Sequence, residues 1–298
     1  MDYTRIYAGF LKKFLKIRRP LKVVFDCSNG SAGPVIKKIS NLVIGKLEII
    51  LINEKPDGRF PAHGPNPMAK GATDDLRKAV SKNKADLGVI FDADGDRVFF
   101  VDDLGREIHS DIVVALIGRN YKGPVILDVR AGYLARELIS KVIDSRVGHY
   151  FIKKLMWQRK APFAAETSGH YYFKDFFYAD SGIFAAIQFM NAASEILKKG
   201  KKLSGWIDSL PKYYRSGEIN FRISDKKAVM KKAENLFKKE AKKISHLDGL
   251  KMEFGPPVGQ WWFSLRPSNT EDLLRLNLEA KDEKVFKKAL KAISALAN

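Results

Sequence analysis

Cysteine is almost absent from this chain. Cys27 is the single one in 298 residues, which excludes an internal disulfide and fits a reducing compartment. Long apolar runs are absent as well. None approaches the ~18 residues of a membrane-spanning helix, so the sequence gives no reason to expect a membrane partner. The opening Met1-Asp2-Tyr3-Thr4-Arg5 leads into lysine-studded sequence without a small-residue cleavage site, which is not a secretory signal. These absences lead to the expectation of a soluble, cytoplasmic protein. No six-residue glycine fingerprint for a dinucleotide occurs either. Acidic residues are outnumbered, 34 Asp+Glu against 53 Lys+Arg, for a formal charge of +19.

Such an excess of positive charge raises the question of nucleic acid. The lysines, however, are spread along helical stretches at 226–243 and 281–291. They are not gathered on one arm or interleaved with stacking aromatics. Solvated helix faces are the favoured reading over nucleic-acid binding. A positive field that draws in a phosphorylated metabolite and an acidic partner chain are the two others. Hydrophobic content of 45 % supports a packed core, and the length suggests about two domains, or three small ones.

The apolar spacing of Ile6, Phe10, Phe14 and Ile17 predicts a helix over 1–19, ended by Pro20. From Leu21 the pattern becomes strand, turn, helix. A strand over 22–26 is followed by the small-residue turn Cys27-Ser28-Asn29-Gly30-Ser31-Ala32-Gly33, with Pro34 suited to the first position of a helix. Tight packing is favoured over phosphate binding for this turn. A strand at 47–52 precedes a long Pro/Gly-rich loop through Pro67, of the kind that often carries function. A helix over 73–83 leads to the apolar run 87–91. A second α/β unit begins near Lys122, with a strand at 125–128, a helix at about 133–142, a helix at about 151–158 and a strand at 163–165. Asp180 starts another helix, over 182–197. The last unit begins near Ser216 and alternates strands with lysine-rich helices.

Between the apolar runs 87–91 and 98–101 lies Asp92-Ala93-Asp94-Gly95-Asp96-Arg97. Three carboxylates this close repel one another unless a cation sits among them. Oxygen-only ligands favour a hard ion, Mg²⁺ before Ca²⁺. Arg97 could face a phosphate or a sugar hydroxyl. A solvated acidic turn is the bland alternative. A calcium loop of the EF-hand type fails, since Arg97 stands where Gly is needed, Asp103 where Glu is needed, and a strand precedes in place of a helix. A phosphoryl-transfer metal site remains, with the aspartates either nucleophilic or purely metal-holding.

Two further loops carry chemistry. Glu166-Thr167-Ser168-Gly169-His170 combines an acid, two hydroxyls and an imidazole, which suits sugar hydroxyls; polar groups that satisfy each other are the alternative. Arg266-Pro267-Ser268-Asn269-Thr270 combines a guanidinium, hydroxyls and backbone N–H groups, which suits a phosphate dianion; a plain capped turn is the alternative. A metal loop, a hydroxyl-binding loop and a phosphate clamp together fit an enzyme acting on a phosphorylated sugar. They fit an aspartyl-nucleophile phosphatase poorly, because its acidic motif opens the first strand of the domain.

The chain resembles the α-D-phosphohexomutase family, the phosphomannomutase/phosphoglucomutase branch, over nearly its whole length. Asp92-Ala93-Asp94-Gly95-Asp96-Arg97 resembles that family's metal loop, with Ala93 where Gly is usual. Pro56-Asp57-Gly58-Arg59-Phe60-Pro61 and Pro65-Asn66-Pro67 resemble its second-domain loop. Gly148-His149 with Ile152-Lys153-Lys154, then Glu166-Thr167-Ser168-Gly169-His170, resemble the third domain's substrate segments. Arg266-Pro267-Ser268-Asn269-Thr270-Glu271 resembles the fourth domain's phosphate loop. Asp128-Val129-Arg130 stands where bacterial relatives often have Asp-Val-Lys.

The resemblance implies two consecutive α/β domains with mixed sheets between helices, plus a C-terminal α+β domain. It divides the chain into a linker helix at 1–20, a metal-binding domain at 21–120, a sugar-binding domain at 121–213 and a phosphate-binding domain at 214–298. It implies reversible phosphoryl transfer between the 1- and 6-positions of a hexose phosphate, with Mg²⁺ as cofactor and a hexose 1,6-bisphosphate as intermediate. Asp92, Asp94 and Asp96 would hold the metal. Arg97 and His149 would be catalytic. Arg130, Glu166, Ser168, His170, Arg266, Ser268, Asn269 and Thr270 would bind substrate. The family's phosphoserine sits in a first domain in a Ser-His-Asn-Pro context that this sequence does not contain, since Ser245-His246 continues as Leu247-Asp248. The expectation is therefore a polypeptide inactive by itself, with the serine supplied by a separate domain or chain, or else a non-catalytic sugar-phosphate-binding remnant.

Overall fold

The computed structural model describes residues 1–43, 45–268 and 271–297. It contains three five-stranded sheets. The first unit comprises α1 (Tyr3–Lys12), β1 (Leu21–Asp26), α2 (Ala32–Leu42), β2 (Leu47–Ile52), α3 (Asp74–Asn83), β3 (Leu87–Phe91), β4 (Val98–Asp102), β5 (Glu107–Ile108) and α4 (Ser110–Gly118). The second comprises β6 (Val125–Asp128), α5 (Tyr133–Leu138), β7 (Val142–Ser145), α6 (His149–Arg159), β8 (Phe163–Ala165), β9 (Tyr171–Phe173), β10 (Ala179–Asp180), α7 (Gly182–Lys198) and α8 (Leu203–Asp208). The third comprises β11 (Tyr214–Arg222), α9 (Lys226–Phe237), β12 (Lys243–Ser245), β13 (Leu250–Phe254), β14 (Trp261–Pro267), β15 (Leu273–Ala280) and α10 (Glu283–Ala297).

The first two sheets repeat one topology. The first runs β2-β1-β3-β4-β5 and the second, read from its other edge, β7-β6-β8-β9-β10. In each, the first strand pairs in parallel with the next two, and the last two strands add in antiparallel fashion. The inner parallel strands β1, β3, β6 and β8 are mostly apolar and buried because both of their faces are covered. The third sheet, β11-β15-β14-β13-β12, is antiparallel. The architecture is thus two mixed α/β units followed by an α+β unit.

One hydrophobic core runs through both α/β units, and α7 joins them. Phe189 stacks on Phe100 of β4 at 4.1 Å, while Phe184 meets Phe173 of β9 at 4.7 Å. Both phenylalanines of α7 are fully buried, and each such burial stabilises by about 1.5–3 kcal/mol. Helix α4 is buried on nearly every side. Its sequence, Ile112-Val113-Val114-Ala115-Leu116-Ile117, therefore carries no amphipathic period, and the reading by periodicity passes over it.

Several boundaries differ from the sequence expectation. The N-terminal helix stops at Lys12 instead of reaching 19. Phe14 and Leu15 close i→i−3 bonds, a tightened end that swings Phe14 onto Phe184 at 4.8 Å. Pro34 is the third residue of α2, not the first. Helix α5 ends at Leu138, because Ile139 is already extended and 142–145 pair with β6 as a strand; sheet pairing overrides the helical spacing there. Helix α6 begins at His149 rather than near 151. Asp180 belongs to β10, and Ser181 caps α7 through its hydroxyl. No helix among the described residues is long and apolar enough to cross a membrane.

Candidate functional site

The acidic loop leaves the C-terminal end of β3, and a bed beneath it fixes its path. Ser28 Oγ donates to the carbonyl of Phe91 at 2.5 Å, the Ser31 amide to that of Ala93 at 2.9 Å, and Ser31 Oγ to that of Asp94 at 2.8 Å. A Cβ on Gly30 would stand 2.3 Å from the Ala93 carbonyl oxygen, so only glycine permits this approach. The small-residue turn after β1 is a packing element. From the opposite side, the Ala93 amide donates to the carbonyl of Pro65 in the long loop.

Within the loop, Asp92, Asp94 and Asp96 each offer an oxygen, all within 4.8 Å of one another. Burial pushes the Asp96 carboxyl up to about 6, and the carboxylates of Asp92 and Asp94 add to that push while His170 opposes it. An all-oxygen donor set whose members repel one another suits Mg²⁺. Arg97 does not point away to a ligand. Its Nε donates to Asp92 Oδ2 at 2.6 Å, and Asp92 Oδ1 accepts the amides of Gly95 and Arg97.

The corresponding loop of the second unit follows β8. Glu166 is buried; its Oε1 accepts the Gly148 amide at 2.6 Å, and its Oε2 accepts from the hydroxyls of Ser168 and Tyr172, both at 3.4 Å. Burial, reinforced by Glu166, holds the Tyr172 phenol far above its ordinary value, so it stays a donor. The two loops touch. Arg97 and His170 form an antiparallel bridge, and the Val98 amide donates to the Gly169 carbonyl at 3.2 Å.

His149 and His170 converge on Asp180. Their Nδ1 atoms lie 3.3 Å and 3.0 Å from Asp180 Oδ2, and Lys153 Nζ lies 3.1 Å from Oδ1. His170 Nδ1 also stands 3.8 Å from Asp96 Oδ2. Burial works to raise the Asp180 carboxyl, but the hydrogen bonds of His149 and His170, with that of Lys153, hold it far below the usual range. The bond to Asp180 raises His149.

Arg130 forks onto Asp128, with Nε to Oδ1 at 3.1 Å and Nη2 to Oδ2 at 2.8 Å. Asp128 Oδ2 also accepts the Thr167 amide at 2.8 Å. Arg266 and Pro267 are the last two residues of β14, strand residues rather than loop. Ser268 Oγ accepts the Glu271 amide at 3.2 Å and meets Arg275 Nη2 at 3.4 Å. Asn269 and Thr270 lie outside the described residues. Burial lowers Arg266, and the nearby Arg130 adds to this; its Nε is buried and makes no hydrogen bond among the described residues.

Glu218 links the third unit to the second. Guanidinium nitrogens of Arg130, Arg266 and Arg275 approach its carboxylate at 3.8, 3.6 and 3.4 Å. The register of β11 shifts between Arg215 and Glu218, a bulge of the kind that re-aims side chains. Lys251 adds a second tie. It is buried, donates to the Val129 carbonyl at 2.7 Å and lies 4.4 Å over the Trp262 ring; burial pulls its amine down to about 8. Between these units lies a cavity of about 370 Å³, lined by Arg130, Thr167, Ser168, Arg215, Glu218 and Arg275 among others.

A polar path therefore runs from Arg266 through Glu218, Arg130, Asp128 and the 166–170 loop to His170 and Asp96. Asp180, Glu218, Arg275 and Lys251 belong to it and were not singled out from the sequence. Asp180 carries a signal, standing in Asp180-Ser181-Gly182 ahead of an apolar helix, but in sequence that pattern reads as a helix start. The other three are charged residues in strands of a highly charged chain, which carry none.

Comparison with known proteins matches the same three units. Family models described as phosphoglucomutase/phosphomannomutase alpha/beta/alpha domain II, alpha/beta/alpha domain III and C-terminal domain match residues 5–105, 131–214 and 218–296. A phosphomannomutase of Methanocaldococcus jannaschii is 40 % identical over 284 residues, covering 92 % of this chain and 61 % of the relative. A phosphomannomutase of Salmonella montevideo is 36 % identical over 292 residues, covering 93 % and 62 %. A crystal structure of a phosphoglucomutase/phosphomannomutase family protein from Burkholderia thailandensis superposes with a TM-score of 0.83 at 27 % identity, covering 100 % of this chain and 66 % of that one. The chain thus spans 61 % and 62 % of the length of the two phosphomannomutases.

Proposed function

The chain belongs to the phosphoglucomutase/phosphomannomutase family, and from that premise we propose that it carries the cation, sugar and phosphate sites of a phosphohexomutase. The reaction is reversible transfer of a phosphoryl group between the 1- and 6-positions of a hexose phosphate. The observation that carries this reading is the polar path that joins the acidic loop, the 166–170 loop and the Arg266 segment, with a cavity opening at its middle on Arg130, Thr167, Ser168 and Glu218.

Asp92, Asp94 and Asp96 are the residues to hold Mg²⁺, which when bound neutralises phosphoryl oxygens. Arg266 and Ser268, with Asn269 and Thr270, grip the non-reacting phosphate; Arg266 Nε, which makes no hydrogen bond among the described residues and stands 3.9 Å from Asp248 Oδ2, is a donor for it. Glu166 and Ser168 take the sugar hydroxyls, since the 3.4 Å contacts on Glu166 Oε2 leave acceptor capacity there. Arg130 stands at the cavity beside them. His149, raised and aligned by Asp180, takes the proton from the attacking hydroxyl or returns it. A phosphoserine donor belongs to a domain or chain outside these residues. It passes its phosphoryl to the sugar as the serine O–P bond breaks and a sugar O–P bond forms. The bisphosphate then turns round in the cleft and returns the other phosphoryl.

Calorimetry of the 298-residue chain with glucose 1-phosphate and Mg²⁺, followed by addition of a relative's phosphoserine domain in trans, tests this. Binding alone and exchange of glucose 1-phosphate with glucose 6-phosphate only after the addition are expected. Binding without exchange under any such supplement supports a non-catalytic sugar-phosphate-binding role instead. No binding of either hexose phosphate overturns both readings.

A further inference from the structure

Beside the three-aspartate cluster lies a second group of donors with a different chemistry. Asp96, His149, His170 and Asp180 each offer a ligand atom, all within 4.8 Å of one another. Two are imidazole nitrogens and two are carboxylate oxygens. Their separations decide what fits between them. For a borderline divalent ion such as Zn²⁺, metal–nitrogen and metal–oxygen bonds of about 2.0–2.2 Å place tetrahedral ligands roughly 3.3–3.5 Å apart. The three contacts here are 3.0 Å from His170 to Asp180, 3.3 Å from His149 to Asp180 and 3.8 Å from His170 to Asp96. They straddle that edge length, and the remaining pairs lie within 4.8 Å, so small shifts of the side chains bring the four atoms to it.

The donors are also held in place. His149 opens α6 directly after Gly148, whose amide is pinned by Glu166. His170 lies on the backbone bridge to Arg97. Asp180 is followed by the Ser181 cap of α7, and the Gly182 amide reaches the Gly95 carbonyl at 3.0 Å. Lys153 occupies Asp180 Oδ1 at 3.1 Å, which leaves Oδ2 to face the two imidazoles. The Tyr172 ring closes one side, 5.6 Å from the His149 ring.

We propose that Asp96, His149, His170 and Asp180 form a transition-metal site of the Zn²⁺ class that shares Asp96 with the three-aspartate cluster. Mixed imidazole and carboxylate ligands select Zn²⁺, Co²⁺ or Ni²⁺ over Mg²⁺, which takes oxygen ligands and gives up water reluctantly. Because Asp96 cannot serve both ions fully, the transition metal opposes Mg²⁺ at the neighbouring cluster. The site's occupancy is thus a brake on whatever Mg²⁺ supports there, and it stands whether or not the mutase reading holds.

The test is titration of the 298-residue chain with Co²⁺ and with Zn²⁺ in chelator-free, phosphate-free buffer, read by visible absorption and by calorimetry. X-ray absorption on the Zn²⁺-loaded wild-type chain adds a readout that needs no variant. One ion per chain, tetrahedral Co²⁺ bands and two imidazole scatterers are expected. His149→Ala and His170→Ala each weaken Zn²⁺ at least tenfold, Asp94→Asn leaves it within about twofold, and bound Zn²⁺ lowers Mg²⁺ affinity. Tight Zn²⁺ binding that survives loss of both histidines, binding abolished by Asp94→Asn, or a wild-type spectrum with oxygen ligands only overturns the proposal. So does the absence of stoichiometric binding.

Discussion

The guanidinium of Arg97 closes the loop that carries it: its Nε meets Asp92 Oδ2 at 2.6 Å. Asp92 is buried and accepts three N–H groups from its own loop, so the arginine sets where the carboxylate stands. Arg97→Ala removes a charge-assisted bond worth about 1.5–3 kcal/mol. Urea unfolding is expected to show a loss of that size. Arg97→Lys does not restore it, because an ammonium cannot reproduce the Nε contact while reaching Asn66 as Nη1 does at 3.5 Å. An unchanged midpoint in Arg97→Ala would show that the pair is incidental.

Gly30 tests the bed of the acidic loop. Its added Cβ would lie 2.3 Å from the Ala93 carbonyl oxygen, whereas one on Gly58 meets nothing within 4 Å. Gly30→Ala is expected to displace the Asp92–Asp96 turn and to weaken Mg²⁺ at least tenfold in calorimetry. Gly58→Ala is the control and is expected to bind like the wild type. Equal Mg²⁺ affinity in all three would mean that the loop holds its shape without this support.

Glu218 stands among Arg130, Arg266 and Arg275 and balances part of their charge. Glu218→Gln keeps the shape and removes the negative charge. Inorganic phosphate and hexose phosphates are expected to bind roughly three- to tenfold tighter, with a steeper salt dependence. Weaker binding would show instead that Glu218 orients the arginines and that their order outweighs the field.

Lys251 gives the chain a pH signature. Its pKa falls to about 8 in the folded chain, against about 10.4 for an unperturbed lysine. Between those values the folded state has lost this proton and the unfolded state has kept it. The unfolded state binds more protons there, so this group makes stability rise with pH across that window. The rise is on the order of 3 kcal/mol at its full extent. Stability of the wild type relative to Lys251→Met, measured by urea at pH 7 and pH 10, is expected to increase by an amount of that order. A difference that does not change with pH would show that Lys251 is charged throughout.

The parallel strands other than β7 were legible because each is a short, mostly apolar run bounded by turn residues. The run Leu47-Glu48-Ile49-Ile50-Leu51-Ile52 matches β2, and Phe163-Ala164-Ala165 matches β8. The acidic loop was legible because three carboxylates at alternate positions between two apolar runs repel one another and stand out in neighbouring residues. What escaped the sequence has two causes. Helix α4 is buried on both sides and has no period to read. The partnership of Asp180 with His149 and His170, and that of Glu218 with three arginines, joins residues far apart in the chain, and no local pattern encodes such a meeting.

Residue order by itself determined most of the elements, the fold class and the family, because strand, turn and motif are written in neighbouring residues. Tertiary structure decided which groups stand together. The repeated topology of the first two sheets brings the ends of β3 and β8 against each other, where Arg97 and His170 bridge. At the bulge in β11, Arg215, Gly217 and Glu218 line a cavity shared with Arg130 and Thr167, and Lys251 ties the third sheet to the Val129 carbonyl. Tertiary structure also decided that Arg97 serves Asp92, since a buried carboxylate takes the nearest strong donor, and that donor is five residues away on the same loop.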